Sequence, residues 1–372
     1  MNLTFVNATR RWGGVKSWTL SVAAGLRRRG HRIRIVLRPG TEYAAACREA
    51  GLDVRLLRFG PDWNPFAVAA LHREFRDTGA DLVLTNVSKD NRTAGPAARL
   101  LGIPVVQRIG GPGDITDRFQ VRAEHARFVT HAITPAVFIK DHIGRFPWMD
   151  AARRVSVVHN GVDVERFRPG VARGALRAAL GVRPGVPLLI TTSQLTAIKG
   201  HRFLLEALAA LETRPAPVAV LVGTGAQADA LASRARDLGV DGRVRFLGFR
   251  RDLPELLDEA AIAVQPSLQE GFPNSVIEFM AAGKPIVASR LAGIPEAVED
   301  GVHGVLVPPG DAGALARALG RLLGDAEAAR EMGAAARRRA VERFSEPAML
   351  DGVESVLTSV LRSRSRPGGA RS

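Results

Sequence analysis

Ala261-Ile-Ala-Val-Gln-Pro-Ser267-Leu-Gln-Glu270-Gly271-Phe272-Pro273-Asn274-Ser275-Val-Ile-Glu278-Phe-Met-Ala-Ala-Gly283-Lys284-Pro285 is the stretch on which the reading of this chain turns. The apolar run at 261–264 has the length and composition of a buried strand. It feeds a Gly/Pro loop that contains Glu270, and a helical pattern begins near Asn274 or Ser275. Pro273 excludes one continuous helix through both glutamates. A helix that starts at the end of a strand presents free N–H groups and a positive dipole end, which suit a phosphate. Glu278, in the first turn, has two oxygens able to hold the vicinal hydroxyls of a ribose. The same residue completes an S-x-x-E capping box with Ser275, and the two roles are compatible. Glu270, before a glycine at a strand end, shows no local partner in the sequence.

Outward from this stretch, short apolar runs alternate with helical patterns along the whole chain. Six strands are expected at Leu3–Val6, Ile33–Leu37, Leu82–Asn86, Pro104–Gln107, Ala132–Thr134 and Val155–His159. Six more are expected at Leu188–Thr192, Ala219–Val222, Val244–Leu247, Ile262–Gln265, Ile286–Ala288 and Val305–Val307. Strand–helix alternation predicts an α/β fold with parallel sheets. Two sets of six predict two Rossmann-like domains that face each other, with ligands in the cleft at the carboxyl ends of the strands. The breaker-rich segment between Asp163 and Pro187 marks the boundary. The expected division is 1–170, 171–345, a helix over 346–362, and a disordered basic tail over 363–372.

The 372 residues, 46% hydrophobic, exceed what one ordinary core accommodates. Cys47 is the single cysteine, so neither a disulfide framework nor a thiol metal cluster is expected. The first residues lack the long apolar core of a signal peptide. No run reaches the roughly 18 apolar residues of a membrane span. A cytoplasmic protein is expected from these features. The net charge of +15 points to an anionic surface or ligand. Only five of the 52 basic residues are lysine, which also fits a GC-rich coding sequence. Basic clusters lie at Arg27–Arg29, Arg337–Arg339 and from Arg362 to Arg371. No aromatic residues interleave with them as a stacking platform requires, so nucleic acid is not an expected partner.

Four further loops follow strands. Lys199, in Thr191-Thr-Ser193-Gln194-Leu195-Thr-Ala-Ile-Lys199-Gly200-His201, is a point charge suited to a diphosphate, and lysine is scarce here. Gly13-Gly14 lies between the first strand and the first helix, where a bare backbone can approach an anion. Gly223, in Val222-Gly223-Thr224-Gly225, either approaches a nucleotide or makes a turn. The backbone near Phe249, after another strand, can read a nucleobase edge. No D-x-D occurs, so a carboxylate-held metal is not indicated. Neither H-E-x-x-H nor G-x-S-x-G is present.

Together these residues resemble glycosyltransferase family 4, the retaining group of the GT-B fold. The resemblance covers almost the whole chain, is strongest from Val155 to Asp311, and implies that the last helix, over 346–362, crosses back to the first domain. Asn160-Gly161-Val162-Asp163 with Phe167 and Pro169 is similar to the family's junction segment. Glu270 to Glu278 resembles its E-x7-E motif. Gly293-Ile-Pro295-Glu296, Gly301 to Gly304 and Pro308-Pro-Gly310-Asp311 resemble the segments that follow, and Gly13-Gly14 resembles the N-terminal glycine loop.

The resemblance implies a metal-independent, hexosyl-type retaining transferase using a UDP- or GDP-sugar, with no cofactor. Lys199 would neutralise the donor diphosphate, and backbone N–H groups around Gly271, Phe272 and Pro273 would hold the phosphate or sugar. Glu278 would bind the ribose, and Glu270 would contact sugar hydroxyls and support positive charge at the anomeric carbon. The acceptor would be a glycan or lipid-linked intermediate of lipopolysaccharide, exopolysaccharide or glycolipid synthesis, met at the inner face of the plasma membrane. Two departures stand out. Gln194 takes the place of the arginine usual beside the donor phosphate, and the segment Val106 to Asp114 lacks the usual histidine. Arg108 or Asp114 would then face the donor sugar instead, and Gly13, Gly14 and Arg108 would form the loop at the acceptor or donor phosphate. A sugar-nucleotide epimerase or hydrolase of the same fold, and a catalytically weak sugar-nucleotide binding protein, are the alternatives.

Overall fold

A computed structural model describes residues 1–9, 14–40, 42–172 and 174–365. The chain divides into two compact units, 1–160 with 346–372, and 161–345. In the first unit seven strands are β1 (Asn2–Asn7), β2 (Arg32–Leu37), β3 (Asp53–Leu56), β4 (Leu82–Thr85), β5 (Val105–Arg108), β6 (His131–Thr134) and β7 (Val155–Val157). Their order is β3-β2-β1-β4-β5-β6-β7, and every pairing is parallel. The second unit holds β8 (Leu188–Thr192), β9 (Val218–Val222), β10 (Val244–Gly248), β11 (Ile262–Gln265), β12 (Ile286–Ser289) and β13 (Gly304–Val307). Its order is β10-β9-β8-β11-β12-β13, again all parallel. Both are doubly wound Rossmann-type sheets.

The central strands are apolar on both faces because helices cover both sides of a parallel sheet. β9, Val-Ala-Val-Leu-Val, is buried throughout. β3 is the strand beyond the twelve expected. Its sequence Asp-Val-Arg-Leu mixes charge with apolar residues, and as an edge strand it is largely exposed. It therefore carries no apolar run to read.

The units divide at Asn160/Gly161, earlier than the expected 170. Residues after 160 already belong to the second unit: Val162 N donates to Phe344 O at 2.8 Å. Arg337 Nη1 donates to Val164 O at 3.2 Å and to Phe167 O at 3.3 Å. The last helix, Glu346–Ser365, packs on the first, Gly14–Arg28, and buries Val353, Leu357 and Val360 against Val22 and Leu26. A Cβ on Gly25 would lie 2.5 Å from Leu350 Cδ1, so this glycine admits the close approach of the two helices. Arg29 pairs with Asp351 at 2.7 Å and Glu354 at 2.9 Å, and Ser21 Oγ donates to Glu346 at 2.8 Å. The helix includes residues 363–365, which were expected in the tail. Two of the three basic clusters are thus partly spent inside the fold: Arg29 holds the last helix, while Arg337 and Arg339 bond backbone carbonyls. Among the described residues, no helix is long and apolar enough to cross a membrane.

Candidate active site

In the second unit the strand order reverses between β8 and β11, which pair directly as Ile262↔Leu189 and Ala263↔Ile190. The loops leaving their carboxyl ends therefore meet at the switch point, where ligands of such sheets bind. The β8 loop makes a tight turn at Ala197–Lys199 and enters the helix His201–Ala210 through Gly200. Gly200 has φ +66°, and a Cβ there would come within 2.0 Å of Pro266 O in the β11 loop. Leu268 N donates to Ile198 O at 2.7 Å. These contacts stitch the two loops together and bring Lys199 to Glu270.

Lys199 Nζ donates to Glu270 Oε1 at 2.6 Å. Lys199 is 21% exposed and Glu270 7%. The same oxygen accepts from Ser267 Oγ at 2.8 Å and from Gln265 Nε2 at 2.9 Å. The sequence reading that Glu270 has no local partner is thus corrected: it has three. Its Oε2 accepts no hydrogen bond among the described residues, which leaves one oxygen for a ligand. Gln265 is fully buried and is the hub, since its Oε1 in turn accepts from Ser275 Oγ at 2.9 Å.

That last bond also decides the capping question. The helix Asn274–Ala281 follows Pro273 and has no side-chain cap. Ser275 turns its hydroxyl to Gln265, so the capping box with Glu278 does not form. Glu278 is half-buried and accepts no hydrogen bond among the described residues. Burial pushes its carboxyl up to about 7, against the pull of Arg166. A carboxylic acid whose ordinary value is 4.5 is then about half ionised at neutral pH. Folding favours the protonated form, so this group's contribution to stability is full below about 4.5 and declines as pH rises towards 7.

The expected backbone cradle is partly corrected. Pro273 has no N–H to give, and Phe272 is 7% exposed with its ring centroid 5.7 Å from that of Phe344. Gly271 O is taken by Gly293 N at 2.9 Å. The N–H groups of Gly271 and Ser275 make no hydrogen bond among the described residues and are the available donors at this helix start. Gln194 is exposed, without a side-chain hydrogen bond among the described residues. Arg202, a candidate substitute for the missing arginine, lies over the Phe203 ring at 4.5 Å.

Gly223 has a packing reason of its own: at φ +147° its Cβ would sit 2.0 Å from Ser193 O. Phe249 follows β10 and is 73% exposed. Next to Lys199, His201 is buried, and burial together with that lysine pushes its pKa down to about 4. It is neutral at pH 7 and shares a hydrogen bond of 3.0 Å with Ser193 Oγ. The residues missed in the sequence are Gln265, Ser267 and Ser275; the one available signal was a glutamine ending an otherwise apolar strand.

The remaining candidates belong to the first unit. Gly13 lies outside the described residues, and Gly14 opens the first helix, exposed. Arg108 ends β5, buried, with its guanidinium 4.8 Å from the Trp18 ring centroid. Asp114 accepts from Gly110 N at 2.8 Å and Gly111 N at 2.9 Å, which makes it a turn-forming residue.

Residues 12–166 match the model of Glycosyltransferase Family 4, and residues 186–325 that of Glycosyl transferases group 1. A D-inositol 3-phosphate glycosyltransferase of Streptomyces bingchenggensis is 31% identical over 294 residues, 76% of this chain and 59% of that protein. The enzyme of the same name from Nocardia farcinica is 37% identical over 190 residues, 48% of this chain and 42% of that protein. The chain therefore spans about half the length of these curated relatives. Among solved structures, Anabaena HepE in complex with UDP superposes with TM-score 0.86 at 24% identity, covering 96% of this chain and all of that one. A Rickettsia africae glycosyltransferase gives 0.88 at 20% identity, covering 97% and 98% of the two chains. At these identities the likeness to the solved structures is one of fold.

Proposed function

The chain belongs to the group 1 glycosyl transferases of family 4, and from that premise we propose that it transfers a hexose from a nucleotide-diphosphate sugar to a glycan or lipid-linked acceptor, with retention and without a metal. The observation that carries the reading is the Lys199–Glu270 pair, half-buried on the loops that leave β8 and β11 and held through Glu270 by Gln265 and Ser267. In the proposed reaction the bond between the anomeric carbon and the diphosphate oxygen breaks as the acceptor hydroxyl attacks from the same face. The proton of that hydroxyl passes to the leaving phosphate. Charge accumulating on the phosphate meets the two uncommitted N–H bonds of Lys199, the N–H groups of Gly271 and Ser275, and the helix dipole at Asn274. Oε2 of Glu270 faces the developing positive charge on the sugar.

UDP is the first choice of nucleotide and GDP the second; HepE, of the same fold, was solved with UDP. The relatives' names, D-inositol 3-phosphate glycosyltransferase, support a phosphorylated polyol as one acceptor class; a role in cell-envelope synthesis is part of the proposal. The net charge of +15 supports work at an anionic membrane surface on its inner face. The test is a panel of UDP- and GDP-sugars incubated with and without candidate acceptors, in EDTA. Release of free nucleotide that depends on acceptor and persists in EDTA is expected. Rapid turnover of donor alone would point to a hydrolase or epimerase instead.

Glu278 adds a pH signature. Ribose hydroxyls donate to a carboxylate better than to a carboxylic acid. UDP affinity should therefore rise about tenfold between pH 6 and 8, as the group titrates about 7. Titration calorimetry on Glu278→Gln should show a flatter profile. Identical profiles for the two proteins would remove Glu278 from the nucleotide site.

A further inference from the structure

We propose that Gln265 is a positioning residue for nucleotide binding: by holding the Ser275 hydroxyl it keeps the helix Asn274–Ala281 from capping itself, and so leaves the Ser275 N–H and the Glu278 carboxylate open to the donor. The inference rests on the transferase reading and adds a residue to its donor site. Every residue it needs lies in the second unit.

The helix start has two ways of satisfying the same groups. Ser275 and Glu278 have the spacing of a capping box, in which the serine hydroxyl accepts from Glu278 N–H and the carboxylate accepts from Ser275 N–H. That arrangement takes both groups that the donor needs. The structure shows the other one. The helix follows Pro273 without a side-chain cap. Val276 N donates to Pro273 O at 3.2 Å, and Ser275 Oγ donates to Gln265 Oε1 at 2.9 Å. The two arrangements exclude each other. A capping serine stands outside the helix with a non-helical backbone, whereas here Ser275 is already the second residue inside it.

One buried amide selects between them. Gln265 ends β11, pairs with Ala288 of β12 and is fully buried. Its Nε2 donates to Ser267 Oγ and to Glu270 Oε1, both at 2.9 Å. A carboxylate only accepts, so the amide nitrogen faces Glu270 and the amide oxygen is left for Ser275. The charge of Glu270 therefore sets the amide's orientation, and Lys199 holds that charge at 2.6 Å. The carboxylate proposed for the sugar and the helix start proposed for the phosphate share one side chain. An apolar residue of similar size at 265 would leave the Ser275 hydroxyl without its acceptor and free to cap.

The test combines amide hydrogen exchange, read by NMR, with calorimetric UDP titration on Gln265→Met, which keeps the length of the side chain and removes its amide. Exchange at the Ser275 N–H is expected to slow about tenfold in this variant, as the capping box forms, and UDP affinity to fall about tenfold. Adding Ser275→Ala removes the capping hydroxyl and should recover about threefold of the lost affinity. A merely structural loss would deepen with the second substitution instead of shrinking. Gln265→Asn, one methylene shorter, loosens the same bridge and decides the matter if the methionine variant does not fold. Unchanged exchange at Ser275 overturns the proposal, and so does a double variant that binds UDP no more tightly than the single one. If the wild type binds UDP and neither effect appears, the transferase reading stands without this role for Gln265. If the wild type does not bind UDP while Gln265→Met still protects the Ser275 N–H, the transferase reading falls and the competition for the hydroxyl stands.

Discussion

Replacing Glu270 by alanine will lower kcat by about 10²–10³-fold, the range seen when one fixed electrostatic contact to a transition state is removed. The effect should fall on turnover more than on nucleotide affinity, because Oε1 is held by the protein and the proposed reaction gives Oε2 to the sugar. Alanine also strips three donors of their shared acceptor. Gln265 is fully buried, so a stability loss of about 1–3 kcal/mol accompanies the kinetic one. Glu270→Gln separates the two: it preserves shape and much of the network but removes the charge, and should lose kcat with a smaller fall in melting temperature. Steady-state kinetics with calorimetric UDP affinities are the measurement. A variant that keeps turnover and loses only affinity would favour a binding protein over an enzyme.

Lys199→Ala is expected to lower kcat/KM for the donor by about 10²-fold or more, with both KM and kcat affected. Two physical effects combine. The cation that the proposed reaction sets against the leaving phosphate is lost, and the Glu270 side chain, 7% exposed, loses its ion-pair partner. Gln194 brings no charge to compensate, which makes the chain more dependent on this one lysine than a chain with arginine there. The double variant Lys199→Ala with Glu270→Gln should lose less than the sum of the two, since the residues act as a pair. Strict additivity would mean that they act independently.

How much of this could be read from the sequence depends on the range of the interaction. Val218–Val222 and Ile262–Gln265 are plain as apolar runs, and doubly wound sheets follow from their alternation with helices. Asp53–Leu56 is not, because an edge strand needs no apolar face. Lys199 and Glu270 each stand out locally, but their contact spans 71 residues. It exists because β8 and β11 are neighbours at the reversal of strand order, which no local pattern encodes. The capping box failed for a related reason. Ser275 and Glu278 have the right spacing, yet Gln265 competes for the hydroxyl from a neighbouring strand. Arg29 and Arg337 read as surface charge until the segments they bind are in place. Gly223 shows a constraint that is likewise invisible locally: its backbone must clear Ser193 O.

The seating of the last helix on the first carries a consequence for biogenesis. Residues 1–160 emerge from the ribosome well before the helix Glu346–Ser365 that covers Val22 and Leu26. At about 5–20 residues per second, the whole second unit must be synthesised first, a delay of about 10–40 s. Throughout it the nascent first unit carries an uncovered apolar stripe, and the second unit, contiguous in sequence, is free to fold ahead of it.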